Sequence, residues 1–224
     1  MTQPGPVPFV PRSRPKAAAG RWADAVLTWL APWLVAPRRP LPRRPRVLVM
    51  RPDHLGDAVM ATAALAPLAE ALEPEALDVL CGPWAADVFA RLPEVTRVLP
   101  VALPWWMAAR GAPWLARVAA WGRLPGVVRR LRANRYDVVI DLRGDLRHLL
   151  VAALTGASER VSTDRTGGVA LCTRIWPFDQ RPHEVEKTMS ILATLGVRRI
   201  VRPKMVPPSG LPAALLDRLP PGVT

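Results

Sequence analysis

Cysteine is almost missing from this chain of 224 residues: Cys81 and Cys172 stand alone, without a CxxC pair or zinc-ligand spacing. That usage excludes a disulfide-stapled scaffold and a cysteine metal knuckle, and it suits a reducing cytoplasm. The phosphate-binding signatures are absent too. No GxGxxG follows the first apolar run and no GxxxxGK[ST] occurs, which disfavours standard dinucleotide and P-loop sites. There is no GxSxG elbow, and "TGG" at 166–168 is too short to count as a glycine-rich loop. Long hydrophobic runs are missing near the N-terminus: "AVLTWLAPWLVA" (25–36) is too short to span a bilayer and contains Pro32. "PRRPLPRRPR" follows it without a small-residue cleavage site, which speaks against a signal peptide.

Acid is scarce relative to base. Lys and Arg number 31 against 18 Asp and Glu, for a net charge of +13. Arg12, Arg14, Lys16, Arg21, Arg38, Arg39, Arg43, Arg44 and Arg46 face only Asp24 in the first 46 residues. Between Trp105 and Arg135 there are seven arginines and no acid. Such a balance favours anionic partners: nucleic acid, acidic lipid or phosphorylated substrates. No RNA- or DNA-reading motif accompanies it, so specific nucleic-acid binding is not expected. Arginine-, alanine- and proline-rich usage is also what a GC-rich coding sequence produces.

Half the residues are hydrophobic, enough for a core. From residue 46 strands and helices alternate. "RVLVM", "ALDVLCG", "VTRVLPV", "YDVVIDLRG" and "ERVSTD" read as strands. Residues 57–72, "PWAADVFARL", "DLRHLLVAALTG" and "HEVEKTMSILATLG" read as helices. This alternation predicts an α/β fold, a Rossmann-like doubly wound parallel sheet. Ligands bind such sheets beyond the carboxyl ends of the strands. "RPDHLGD" (51–57) and "DLRGDLRH" (141–148) both fall on that edge.

Asp57 follows Gly56 at a strand-to-helix junction, and two roles are open to it. It is a good N-cap residue, and it is also placed to act as a general base aimed into the sheet-edge cleft. Arg51, Arg143 and Arg147 lie near the same edge, either as ligands for carboxylate or phosphate or as partners of Asp141 and Asp145. Asp53 and His54 are expected in a solvent-exposed turn rather than orienting a ligand, and His148 and His183 at surface or capping positions. No metal site is visible.

The blocks "RVLVMRPDHLGDAVMATAALAPL", "LDVLCGPWAADVFARLPEVTRVLPV", "YDVVIDLRGDLRHLLVAALTGASERV" and "HEVEKTMSILATLGV" resemble, in this order, the amino-terminal half of glycosyltransferase family 9, the lipopolysaccharide heptosyltransferases and their relatives. The resemblance implies a GT-B architecture of two Rossmann-like domains. The first holds the acceptor sugar and the second a nucleotide-sugar donor, typically ADP-heptose, with inversion at the anomeric centre and no metal. The glycine–aspartate pair of the family stands here as Gly56 and Asp57, so the resemblance implies that Asp57 deprotonates the acceptor hydroxyl. It also suggests Arg51, Arg143 and Arg147 as contacts for an acidic acceptor such as a Kdo-bearing lipid core.

Three regions are therefore expected. Residues 1–45 form a Pro/Arg-rich extension, either an interfacial segment in which Trp22, Trp29 and Trp33 sit beside arginines or a disordered Pro-rich tail. Residues 46–197 form the acceptor domain, with a Trp/Arg-rich insertion at 104–135. Residues 198–224 are an interdomain linker, with the donor domain absent. The insertion places Trp114, Val118 and Trp121 at helical spacing, either toward a membrane headgroup region or packed into the core. Two functions stay open. One is a cytoplasmic, membrane-peripheral glycosyltransferase half needing a separate donor-domain chain. The other is a non-catalytic basic module on acidic glycolipid or an anionic membrane.

Overall fold

The structure of the protein is a computed structural model that describes residues 14–105, 111, 113–199 and 201–206, and the side chains of these except 14–23 and 117. Six strands form one sheet: β1 (Arg46–Arg51), β2 (Ala76–Cys81), β3 (Arg97–Pro100), β4 (Val138–Asp141), β5 (Glu159–Thr163) and β6 (Arg174–Trp176). Their order is β3-β2-β1-β4-β5-β6, and every pairing is parallel. The sheet is Rossmann-like, as expected. β6 has no counterpart among the expected strands: at three half-buried residues, it is too short to carry a period-two pattern.

Around the sheet lie α1 (Arg14–Leu34), α2 (Leu55–Leu72), α3 (Ala86–Ala90), α4 (Trp114–Ala133), α5 (Leu146–Leu154) and α6 (Glu184–Ala193). Alternation along β1 shows why the inner strands are apolar throughout. Val47 and Val49 pack with Leu65 and Leu68 of α2, Phe89 of α3 and Ile191 of α6. Leu48 and Met50 point the other way, to Leu131 of α4 and Val151 of α5. Both faces are covered, so each residue needs an apolar side chain. α2 is long and apolar enough to cross a membrane, but its small residues Ala58, Ala61 and Ala64 are buried in the core beneath it.

The segment 25–36 is largely the end of α1. Leu27 and Ala31 pack on Leu149 and Ala153 of α5 and on Leu171. Asp24 accepts a hydrogen bond from the Gly168 amide at 2.5 Å. Trp29 and Trp33 face outward, 73% and 83% exposed. The connection onward is tied to the sheet by Arg38, which donates to the buried Glu159 at 2.5 Å. Within the Trp/Arg insertion, Trp105 is buried, whereas Trp114 and Trp121 are exposed; Trp106 lies outside the described residues.

Strand order decides where a ligand is received. From β1 the chain winds outward through β2 to β3, then crosses back by way of α4 to β4 on the opposite side of β1. The crevice between the carboxyl ends of β1 and β4 is therefore the topological switch point, the usual ligand position in such sheets. The loops following these two strands are "RPDHLGD" and "DLRGDLRH".

Candidate functional site

After Arg51 the chain turns through Pro52 and Asp53 and enters α2 at Leu55, with His54 in the extended conformation of an N-cap. Asp57 is thus the third helical residue and not the cap expected from the sequence; the helix begins two residues earlier. A carboxylate in the first turn still favours the positive end of the helix dipole. Its side chain is 29% exposed, and Oδ1 lies 3.5 Å from Nη2 of Arg51. At Gly56 an added Cβ would meet nothing within 4 Å, so this turn leaves open space over the helix start.

Arg51 is only 3% exposed. Its Nη1 donates to the carbonyl of Leu142 at 2.5 Å, tying the end of β1 to the loop after β4. Nε lies 3.4 Å from Asp53 Oδ1, two atoms that have no hydrogen bond among the described residues. Nη2 also lies 3.4 Å from Glu184 Oε2. One buried guanidinium thus stands among three carboxylates, those of Asp53, Asp57 and Glu184. In this geometry Arg51 orients its neighbours from beneath the crevice.

Asp53 is 1% exposed, which corrects the expectation of a solvent-exposed turn; His54 is exposed, in line with it. The burial of Asp53 follows from its partners. Arg143 Nη1 donates to Oδ2 at 2.7 Å, and Trp84 Nε1 donates to the Asp53 carbonyl at 2.6 Å. Arg143 therefore spans from the β4 loop to the β1 loop. Arg147 is half exposed and paired with Asp145 at 2.6 Å, its guanidinium 5.4 Å from the Trp105 ring centre. Asp145 caps α5, accepting from the Arg147 amide at 3.0 Å. Burial opposes its ionisation, but hydrogen bonds from Arg147 outweigh this and pull its pKa down to about 2.

Two charged members of the cluster were missed by sequence reasoning. Glu184, the first residue of α6, arrives from 133 positions beyond Arg51. Burial works against its charge, yet the Lys187 hydrogen bond at 2.8 Å and the charges of Lys187 and Arg51 hold its pKa below the usual carboxylate range. Arg165 follows β5 and lies 5.4 Å from the Phe178 ring centre. Burial and the repulsion of Arg143 lower its pKa. Glu184 lies in the block "HEVEKTMSILATLGV", where it read only as part of a helix start, and Arg165 lies in none of the four blocks, so no local signal pointed to either.

His148 is fully buried, contrary to the surface or capping role expected from its helical position. Its Nδ1 lies 3.1 Å from Asp141 Oδ1, and its Nε2 accepts from Trp105 Nε1 at 3.2 Å. The indole N–H needs an acceptor, which leaves the proton on Nδ1, facing the carboxylate. Asp141 Oδ2 also accepts from the Gly144 amide at 2.6 Å and from Ser162 Oγ at 2.9 Å. The turn that displays Arg143 is thereby built on a buried carboxylate. His183 does cap α6, in a capping box with Glu186.

Gly144 in that turn has φ +72°, and a Cβ there would stand 2.5 Å from Thr163 Cγ2 and 2.7 Å from the Thr163 carbonyl oxygen. Gly144→Ala is expected to cost about 2–4 kcal/mol, from left-handed strain plus overpacking. Urea unfolding monitored by circular dichroism checks this, and a cost below about 1 kcal/mol would refute it.

Sheet order, buried strands and charged loops at the switch point define a Rossmann-like domain of the kind that forms one half of a GT-B glycosyltransferase. No family model matches the chain. Over 154 residues it is 29% identical to lipopolysaccharide heptosyltransferase 1 of Pseudomonas aeruginosa, a match covering 66% of the chain and 42% of that protein. Among solved structures it resembles E. coli ADP-heptose lipopolysaccharide heptosyltransferase II, with a TM-score of 0.58, 20% identity, and coverage of 73% of this chain and 47% of that one. E. coli heptosyltransferase WaaC with ADP-2-deoxy-2-fluoro heptose gives a TM-score of 0.55 at 22% identity, over 72% of this chain and 50% of that one. The glycosyl transferase family 9 protein of Veillonella parvula gives 0.56 at 19%, over 72% and 44%. In sequence the chain is similar to a lipopolysaccharide heptosyltransferase, and its fold is that of the solved heptosyltransferase and glycosyl transferase family 9 structures. The chain spans less than half the length of the curated relative it matches.

Proposed function

We propose that this chain is the acceptor-binding half of an inverting, heptosyltransferase-like glycosyltransferase, with Asp57 as the general base. The observation that carries the reading is the position of Asp57: partly exposed at the switch point of the sheet, with its carboxylate 3.5 Å from the buried guanidinium of Arg51. The acceptor hydroxyl gives its proton to Asp57 as its oxygen attacks the anomeric carbon of a nucleotide sugar. The bond to the nucleoside diphosphate breaks, and the electron pair leaves with the phosphate. Arg51, 3.5 Å away, aims the carboxylate from beneath. Arg143 and Arg147 bind carboxylate or phosphate on an acidic glycolipid acceptor, and Gly56 leaves room for the sugar above α2.

The donor, an ADP-linked sugar in this reading, is held by a second α/β domain facing the same edge, because transfer needs both substrates oriented together. The mechanism uses no metal. The test is a mass-spectrometric transfer assay with ADP-heptose and a Kdo-bearing acceptor, run on the chain together with a donor-binding half. The expected product is heavier by one heptose, and its formation is lost with Asp57→Asn. Undiminished transfer by that variant would sink the proposal.

A second reading, surface binding without catalysis, is favoured by the outward-facing Trp29, Trp33, Trp114 and Trp121. Both readings place the protein on the inner face of the cytoplasmic membrane. Trp114→Ala with Trp121→Ala is expected to weaken sedimentation with anionic liposomes about tenfold, while Asp57→Asn leaves it unchanged. Equal binding by all three proteins would remove the tryptophans from any membrane role.

A further inference from the structure

The two helices on the face of the sheet away from α2 meet around Leu131 and Val151 but leave a gap between them elsewhere. Between α4 and α5 runs a groove of about 670 Å³, lined by Trp105, Trp121, Leu124, Val128, Val151 and Leu154, with Arg129, Arg132 and Arg147 among its walls. Its volume is that of a small-molecule site. Its walls offer few polar atoms, so an extended peptide laid in it would leave backbone N–H and C=O groups unsatisfied. A hydrocarbon chain has no such groups to satisfy.

A second depression continues it. At the amino edge of the sheet a hollow of about 450 Å³ is lined by Arg39, Arg132 and Arg135, with Asp137 as the one acid among the described residues that line it. The two share Arg132, and Leu154 of the groove is followed directly by Thr155 of the hollow. Asp137 is already engaged, accepting from the Arg46 amide at 2.8 Å. Among the described residues Arg39, Arg129, Arg132 and Arg135 have no carboxylate partner; the ion pairs of the neighbourhood involve Arg38 and Arg147 instead. An apolar slot opening onto unneutralised guanidiniums is complementary to one kind of molecule, an amphiphile with a hydrocarbon chain and an anionic head.

We propose that groove and hollow together form a site for one anionic membrane lipid, its acyl chain lying between α4 and α5 and its phosphate among Arg39, Arg132 and Arg135. The hollow that takes the head is at the amino edge of the sheet, opposite Asp57, while the groove reaches up to Arg147 near the carboxyl edge. The lipid phosphate is therefore held apart from the place where the acceptor sugar reacts. It deepens the membrane reading by specifying a single bound lipid, and it rests on no part of the sugar-transfer mechanism. The exposed Trp114, Leu115 and Val118 on the outer surface of α4 flank the groove, where they would meet the bilayer from which the lipid comes.

The test uses the chain itself and a 14-carbon lysophosphatidate below its micelle concentration, followed by tryptophan fluorescence and titration calorimetry. Expected is saturable binding of one lipid per chain, with lysophosphatidylcholine of equal chain length at least tenfold weaker and glycerol 3-phosphate not saturating. Removing two methylenes from the chain is expected to weaken binding on the order of tenfold, since each buried methylene is worth roughly fourfold in affinity. Arg132→Gln with Arg135→Gln, both at exposed positions, weakens lysophosphatidate at least tenfold and leaves lysophosphatidylcholine unchanged. Val128→Asp weakens both, with thermal melting confirming that it is folded.

Equal affinity for glycerol 3-phosphate would overturn the proposal by reducing the site to a bare anion patch. Insensitivity to chain length or to the arginine substitutions would overturn it as well. So would light scattering that shows a dimer dissociated by Val128→Asp but not by lipid, because the groove would then be an interface between copies. Asp57→Asn is expected to bind the lipid like the wild type, so a failure of the sugar-transfer reading is separable from a failure of this one.

Discussion

Asp57→Asn is expected to lower sugar transfer by about 10²–10⁴-fold, the range over which a positioned general base contributes. The loss falls on kcat with little change in acceptor affinity, because an asparagine fills the same space and removes only the proton acceptor. The arrangement around Asp57 explains why no neighbour takes over. Asp53 is 1% exposed and committed to Arg143 at 2.7 Å, and Glu184 is held by Lys187 at 2.8 Å. Among the described residues Asp57 is the carboxylate of the three that has just the long 3.5 Å approach of Arg51 to satisfy it. Steady-state kinetics in the transfer assay measure the effect. A drop below tenfold in kcat would assign the proton to another group, with Glu184 the next to test.

Asp141→Ala is expected to be the most damaging substitution for stability, at about 3–5 kcal/mol, the cost of breaking a buried charged network by removing one partner. Three donors converge on this carboxylate: the Gly144 amide, Ser162 Oγ and Nδ1 of His148. Its removal leaves the Gly144 amide and His148 Nδ1 buried without an acceptor, each at the cost of its desolvation, while Ser162 Oγ keeps the Asp141 carbonyl at 2.9 Å. For a chain of this size the loss corresponds to a fall in Tm of roughly 6–20 °C. Asp141→Asn keeps one acceptor and is expected to lose about half as much. Thermal unfolding of the three proteins checks the order, and a Tm for Asp141→Ala within about 2 °C of wild type would remove the network from the stability of the fold. Through His148 the same network holds the Trp105 indole, so the damage extends to the wall of the lipid groove.

Much of the fold was legible in the residues. β1, β2 and β4 read as strands because each is apolar on both faces, a pattern that only a sheet covered on both sides requires. Helices opened where proline or an acidic first turn allowed it, as at Pro83 and at Glu184 with Glu186. The limits had physical causes. β6 is three residues long, below any period a sequence can display. The start of α2 was misplaced by two residues because Gly56 and Asp57 are both strong boundary signals, yet the chain turned earlier, at Asp53, whose carboxylate is neutralised by an arginine 90 positions away. His148 was expected at the surface or as a cap because it stands in the first turn of a helix, directly after Arg147; burial was decided by an indole and a carboxylate from other elements.

By itself the sequence determined the first five strands of the sheet and the edge on which the charged loops lie, because these follow from local period and from the rule that ligands meet such sheets at the carboxyl ends of their strands. Only the tertiary structure decided which charges meet. Arg51 lies beneath the crevice rather than in it, Glu184 joins the cluster from the far side, and Arg39 is brought beside Arg132 and Arg135 from nearly a hundred positions away. Pairing between charges depends on distance in space and on burial, and neither is encoded in the spacing of residues along the chain.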